Sequence, residues 1–212
     1  MSQGARPALQ SRSRATRDKL LKALECLLRE RSFAEVTVAD IAREAGLAVG
    51  TVYRRFENKD AFIPVLFEIY KQRLDAFMGS AGGVVVEPEG GLKTVLRQLT
   101  EQSWTFLTSE RGVAREAHLY ARLRPDLVGE EWDALLAASQ DSYGTLIDAF
   151  SDEIKRPRQE AAEMLSYHFN TALTERALYP EDGVGSQMTV SDLDFVRAIA
   201  DFAYGYLVTE AD

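Results

Sequence analysis

The sequence predicts an all-α protein, with a three-helix head at the N-terminal end and a larger helical body behind it. Three observations predict this. The stretch Thr37–Lys59, TVADIAREAGLAVGTVYRRFENK, divides into two short helical segments around a glycine. Most of the remaining chain repeats apolar residues at the i, i+3, i+4 and i+7 spacing of a helix face. No segment shows the alternation of a half-buried strand, and no internal repeat or low-complexity tract interrupts the pattern.

In chain order, residues 1–15 lack periodicity and contain Gly4, Pro7, Arg6, Arg12 and Arg14, which predicts a disordered basic arm. Such an arm either contacts nucleic acid along phosphates or in a minor groove, or only solubilises the chain. Thr16–Arg31 is the first helix, with Leu20, Leu21, Leu24, Leu27 and Leu28 in one stripe. Asp18 in its first turn and Arg29 and Arg31 in its last suit the helix dipole. Phe33 and Val36 are expected to plug the small core. Thr37 with Asp40 three residues later forms a capping-box start, although Glu or Gln is usual at the second position. Ile41, Ala42 and Ala45 give that helix a small apolar face, and Gly46 supplies the exit. Val49–Phe56 forms the second short helix. Two helices crossing over a Gly-containing turn make a helix-turn-helix.

Lys59–Asp60 opens a longer helix to about Phe77, with Pro64 tolerable only near its start. Residues 79–91, GSAGGVVVEPEGG, read as a loop. Helices are then expected over Leu92–Thr108, Gly112–Arg122, Glu130–Ile154 and Gln159–Leu178. Arg124–Pro125–Asp126 and Arg156–Pro157 break the chain between them. After a Gly-rich turn at 179–187, Ser191 and Asp194 form another capping pattern ahead of a last helix that ends near Thr209. The expected division is an arm at 1–15, a head at 16–60 and a helical body at 61–212.

The chain has 212 residues, of which 46% are hydrophobic and 27% charged, ordinary for a globular protein with a sizeable core. No apolar run approaches a membrane span, and no apolar core follows the N-terminal arginines as a secretory signal requires. The single cysteine, Cys26, cannot form an internal disulfide. A cytoplasmic protein is expected. The formal net charge is −8 but is unevenly spread. Residues 1–60 carry 12 Lys and Arg against 8 Asp and Glu, and the remainder 13 against 25. A basic head on an acidic body suits a protein that touches phosphate at one end only.

The sequence resembles the tetracycline-repressor (TetR) family of bacterial transcription regulators. The resemblance is carried by Phe33, Thr37-Val38-Ala39-Asp40-Ile41-Ala42, Ala45-Gly46-Leu47, Gly50-Thr51-Val52-Tyr53, Phe56 and Asn58-Lys59. It covers the first third of the chain closely, and beyond it only length and helical character agree. It implies a ligand-responsive, homodimeric, sequence-specific DNA-binding repressor. Ser32 stands where the family commonly has Gly, and Ala48 and Val49 where a capping hydroxyl and a polar or basic residue are frequent. Ala48 removes an N-cap side chain, which weakens a helix start by up to about 1 kcal/mol.

The resemblance implies that the second short helix enters the major groove of double-stranded DNA. Thr51 can bond a base edge or a phosphate, and Gly50 lets the backbone approach closely. Tyr53 and Lys59 match family positions that contact phosphate. Thr37 and the backbone at Val38 can cap onto a phosphate. One of Arg54 and Arg55 is expected to reach guanine and the other the backbone. Val49 either meets a thymine methyl or belongs to the core, and Arg43 is either a phosphate contact or a surface charge.

For the body, the resemblance implies a dimer through the last two helices, matched to a pseudo-palindromic operator. It also implies a small-molecule effector. Trp104, Phe106, His118, Tyr120, Tyr143, Tyr167 and His168 are the candidate lining, since they combine aromatic faces with hydrogen-bonding tips. No cofactor and no metal site is expected. The chain lacks the GxxxxGKS/T, HExxH and CxxC patterns, and its two histidines lie fifty residues apart, which argues against an enzyme. The alternative is a helix-turn-helix regulator without a small-molecule effector, controlled by a protein partner.

Overall fold

A computed structural model describes residues 5–79, 90–181 and 184–210. These residues are helices and connecting turns, as the periodicity predicts, with no strand among them. The helices are α1 (Ala5–Leu28), α2 (Val38–Glu44), α3 (Val49–Tyr53), α4 (Ile63–Gly79), α5 (Gly91–Ser109), α6 (Arg111–Leu123), α7 (Pro125–Val128), α8 (Glu130–Ala149), α9 (Arg158–Leu178) and α10 (Asp192–Val208). Short 3-10 turns lie at Asp60–Phe62 and Val184–Gln187.

Several boundaries differ from the sequence expectation: the first helix ends at Leu28, not Arg31, and the second short helix at Tyr53, not Phe56. The arm predicted to be disordered over 1–15 is helical from Ala5 onward and continuous with α1. Gly and Ser in that stretch weaken the periodic signal, but Ala5, Ala8, Leu9, Gln10 and Ala15 all favour a helix, and Pro7 falls in the first turn, where it is tolerated. The helix expected over Glu130–Ile154 stops at Ala149. Pro64 is the second residue of α4 and costs the helix no internal bond. Most of the loop expected at 79–91 lies outside the described residues.

The described chain forms two compact units. The first comprises residues 1–72 and 112–128, the second 73–111 and 129–212. This differs from a division at residue 60. The first part of α4 and nearly all of α6 and α7 belong to the same unit as the helix-turn-helix.

In the first unit, Leu20, Leu24 and Leu28 of α1 are buried with Phe33, Val36, Ile41, Ala42 and Val52. Phe62, Ile63 and Leu66 extend this core, and Val113, Ala114 and Ala117 of α6 close it. The approach of α6 is very close. A Cβ on Gly112 would lie 2.2 Å from the Leu28 carbonyl oxygen, so only glycine lets the start of α6 meet the end of α1. Cys26 is exposed on α1.

In the second unit, α10 packs on α5 and α9, and α9 also packs on α5 and α8. Buried Leu92, Val95 and Leu96 of α5 share that core with Leu165, Phe169 and Leu173 of α9 and Phe195, Ile199 and Leu207 of α10. Ser191 caps α10 by accepting the Asp194 N–H, as its sequence pattern predicts. Among the described residues, no helix is long and apolar enough to cross a membrane.

Candidate nucleic-acid interface

Helix α2 is fixed by its own side chains. Thr37 Oγ1 accepts the Asp40 N–H at 3.1 Å and donates to Asp40 Oδ2 at 2.7 Å. The Asp40 carboxylate accepts the Thr37 N–H at 3.0 Å, which completes the capping box. Arg43 pairs with Asp40 at 2.6 Å, and Arg31 pairs with the same carboxylate at 3.3 Å. Hydrogen bonds from Thr37, together with the positive charge of Arg31, hold the Asp40 carboxyl well below the usual carboxylate range. Gly46, at φ 64°, makes the turn that leads to α3.

Helix α3 is presented in a different way. Val52 is fully buried and anchors it. Ala48 has the extended backbone of an N-cap but makes no side-chain cap bond. Val49 is 40% exposed and Tyr53 52% exposed, and Gly50, Arg54 and Arg55 are exposed beside them. The Val49 side chain is thus outside the core of this chain. Thr51 Oγ1 accepts from Arg54 Nη2 at 3.0 Å. Arg55 Nη2 donates to Ser13 Oγ of α1 at 3.0 Å. The backbone stays helical past Tyr53, with the Arg55 and Phe56 N–H groups both bonded to the Val52 carbonyl. Phe56 stacks on Phe62 at a centroid separation of 4.0 Å, which ties the end of α3 to the core.

Five of the nine sequence-predicted DNA residues, Val49, Gly50, Tyr53, Arg54 and Arg55, lie exposed on α3 or in the turn that directly follows it, with Thr51 partly covered among them. The other three are engaged within the head. The Thr37 hydroxyl serves the capping box. The Val38 side chain is buried, so only its first-turn N–H can face outward. Lys59 donates to the Ala34 carbonyl at 2.7 Å and lies 4.9 Å over the Phe33 ring. Burial lowers its pKa from the ordinary lysine value. An ammonium has three donors, and Ala34 occupies one of them. Arg43 is paired with Asp40 but is otherwise open to solvent.

Sequence reasoning missed two residues around this surface. Ser13 lies in the segment expected to be disordered, yet it holds Arg55. Glu116 of α6 is buried, and its carboxylate accepts the Phe33 N–H while its Oε2 has no hydrogen-bond partner. Burial pushes the Glu116 carboxyl up from its ordinary value, against the Phe33 bond and the nearby charges of Arg115 and Lys59. A glutamate on a helix face gives no sequence signal that it will be buried.

The candidate effector residues fall in both units. His118 and Tyr120 belong to the first unit and the other five to the second. Tyr120 packs edge-on against Phe33 at 5.1 Å. The His118 ring is 3.2 Å from the Tyr70 hydroxyl, and burial with the Arg122 charge pushes its pKa down to about 4. Tyr167 is 68% exposed on α9, so it lines no enclosed site within this chain. In the second unit, Trp104 packs on Phe195, Phe106 on Phe77, and Tyr143 and His168 on Phe169. Gln102 of α5 contributes a buried Oε1 with no hydrogen-bond partner, a polar position that the sequence did not single out.

The capped first helix, the glycine turn and the exposed second helix define a helix-turn-helix protein. Residues 20–64 match the model of the bacterial regulatory proteins of the tetR family. A relative from Bacillus subtilis (strain 168), the HTH-type transcriptional regulator YvdT, is 30% identical over 119 residues. That match takes in 56% of this chain and 58% of the relative's length. A transcriptional regulator from Rhodococcus sp. Rha1 shares the fold with a TM-score of 0.65 and 16% identity, over 90% of this chain and 94% of that one. PfmR, a TetR family transcriptional regulator from Thermus thermophilus, does so with a TM-score of 0.60 and 16% identity, over 88% and 97%. Over its helix-turn-helix segment, residues 20–64, the chain is thus similar to the tetR family.

Proposed function

We propose that the protein is a sequence-specific DNA-binding transcriptional regulator of the bacterial cytoplasm, a homodimer that releases its operator when a small molecule binds the second unit. The observation that carries this is the outer face of α3 and the turn that follows it. Val49, Gly50, Tyr53, Arg54 and Arg55 are exposed there, while Val52 is the one fully buried residue of the helix. Gly50 does not have a positive φ, and a Cβ built on it meets nothing within 4 Å. Neither backbone conformation nor internal packing requires glycine, which fits a surface that another backbone must approach closely. Phosphate contacts set affinity on such a surface and base edges set specificity.

Dimerisation is supported by the exposed apolar residues of the last two helices. Met164 and Tyr167 of α9 are 44% and 68% exposed, and Leu193 and Phe202 of α10 55% and 69%. Large aromatic side chains at that exposure mark an association surface. A two-fold protein implies an inverted-repeat operator with half-sites about one helical turn apart. The unpartnered Gln102 Oε1 and the aromatic residues of the second unit support a small-molecule site there.

The test is selection of bound sites from random duplex DNA by the purified protein at stated salt. An inverted repeat is expected. No enriched sequence would remove the claim of specific reading. With a site in hand, metabolites are screened for loss of binding and for a rise in melting temperature, since a ligand of the native state stabilises by mass action.

A further inference from the structure

The two adjacent arginines of α3 are held by different parts of the molecule. About 100° separates successive residues round a helix. Taking the buried Val52 as the core direction, Gly50 lies about 160° from it and Arg54 about 200°. These two therefore point away from the core. Arg55 lies only about 60° from Val52, on a flank, where the Ser13 hydroxyl of α1 binds its Nη2 at 3.0 Å. Arg54 is instead steadied within α3, by the Thr51 hydroxyl at 3.0 Å. Residues 50 and 54 are also neighbours along one helix face. The empty space at Gly50 leaves the face beside Arg54 uncovered.

This geometry points to a division of labour, given the DNA-binding function proposed above. Arg54 reads a guanine in each half-site, with Thr51 as the residue that positions it. Arg55 is a phosphate clamp, and Ser13 positions it from α1. The guanidinium has five donors in a planar fork. Thr51 occupies one through Nη2, which leaves others to meet guanine O6 and N7 together. A charge on the flank of a groove-facing helix meets the sugar-phosphate wall instead, where it adds affinity without sequence preference. Ser13 of α1 thereby becomes part of the DNA-binding surface.

The test repeats the site selection with the full-length chain carrying Arg54→Lys, Arg55→Ala or Ser13→Ala, each first checked for wild-type helical content. Arg54→Lys keeps the charge but loses the fork. It is expected to lower the preference for one guanine per half-site by roughly ten-fold and to leave the salt dependence unchanged. Arg55→Ala is expected to keep the selected sequence while the slope of log affinity against log salt falls by about one per protomer. Ser13→Ala should weaken all duplexes alike, and by less than Arg55→Ala. If the wild type selects a sequence and Arg54→Lys keeps it unchanged, the assignment of Arg54 is overturned. If Arg55→Ala alters the selected bases, the clamp is overturned. A wild type that selects nothing would instead overturn the DNA-reading function itself.

Discussion

Helices α2 and α3 are short neighbours, and they are stabilised in opposite ways. The start of α2 is closed by the Thr37–Asp40 capping box, and Arg31 and Arg43 both pair with Asp40. The start of α3 has Ala48 where a capping side chain would stand, and its one fully buried residue is Val52. The difference separates scaffold from contact surface. A helix whose cap comes from its own side chains gains less there from a partner. A helix with an unclosed start and an exposed outer face has less stability of its own and more to gain on contact.

The largest break in that comparison comes from Val52→Ala. It removes the one fully buried side chain of α3, and about 2 kcal/mol of stability should be lost in urea unfolding. Thr37→Ala acts on the other helix and should cost about 1 kcal/mol, because a first-turn N–H loses its acceptor. The acid side of the same cap can be followed by pH. Asp40 titrates below its ordinary value of 3.8 in the folded chain, so the unfolded chain binds its proton first as pH falls. Its contribution is complete above that value and is lost progressively below it. Asp40→Asn should flatten the decline of melting temperature in that range. A decline as steep as in the wild type would show that other carboxylates govern it.

The next change should raise stability. Gly50→Ala places a better helix former in open space and should add about 0.5–1 kcal/mol, while affinity for the selected duplex falls. Stabilisation with undiminished binding would mean that Gly50 is not reserved for DNA. The smallest effect is expected from Ala48→Ser. The backbone at 48 already has φ −70° and ψ 139°, as an N-cap requires, so a hydroxyl should add about 0.5 kcal/mol in thermal unfolding. No gain would mean that the start of α3 is already satisfied by solvent.

The local rules of the chain were legible because short-range chemistry sets them. Thr37 with Asp40, Gly46, and Ser191 with Asp194 all act within a few residues, and each end forms where its pattern places it. The exposed face of α3 was legible for the same reason. Periodicity shows that a helix has an apolar face but not what covers it. Hence α6 was expected in the body, although Gly112 meets Leu28 and Tyr120 meets Phe33 within the first unit. Hence also Tyr167 was grouped with enclosed aromatics although it is largely exposed. The bond from Lys59 to Ala34 depends on the fold of the turn before α2, which no spacing in the sequence encodes.

The contact between Gly112 and Leu28 also has a consequence for the order of folding. The core begun at Leu20 is completed only by Val113, Ala114 and Ala117, beyond the intervening stretch 73–111. Closing that stretch costs chain entropy before any of these contacts forms. A fragment ending at residue 72 would leave Phe33 without the Tyr120 ring and Tyr70 without His118. During synthesis, the helix-turn-helix emerges early but waits for α6 before its core can close.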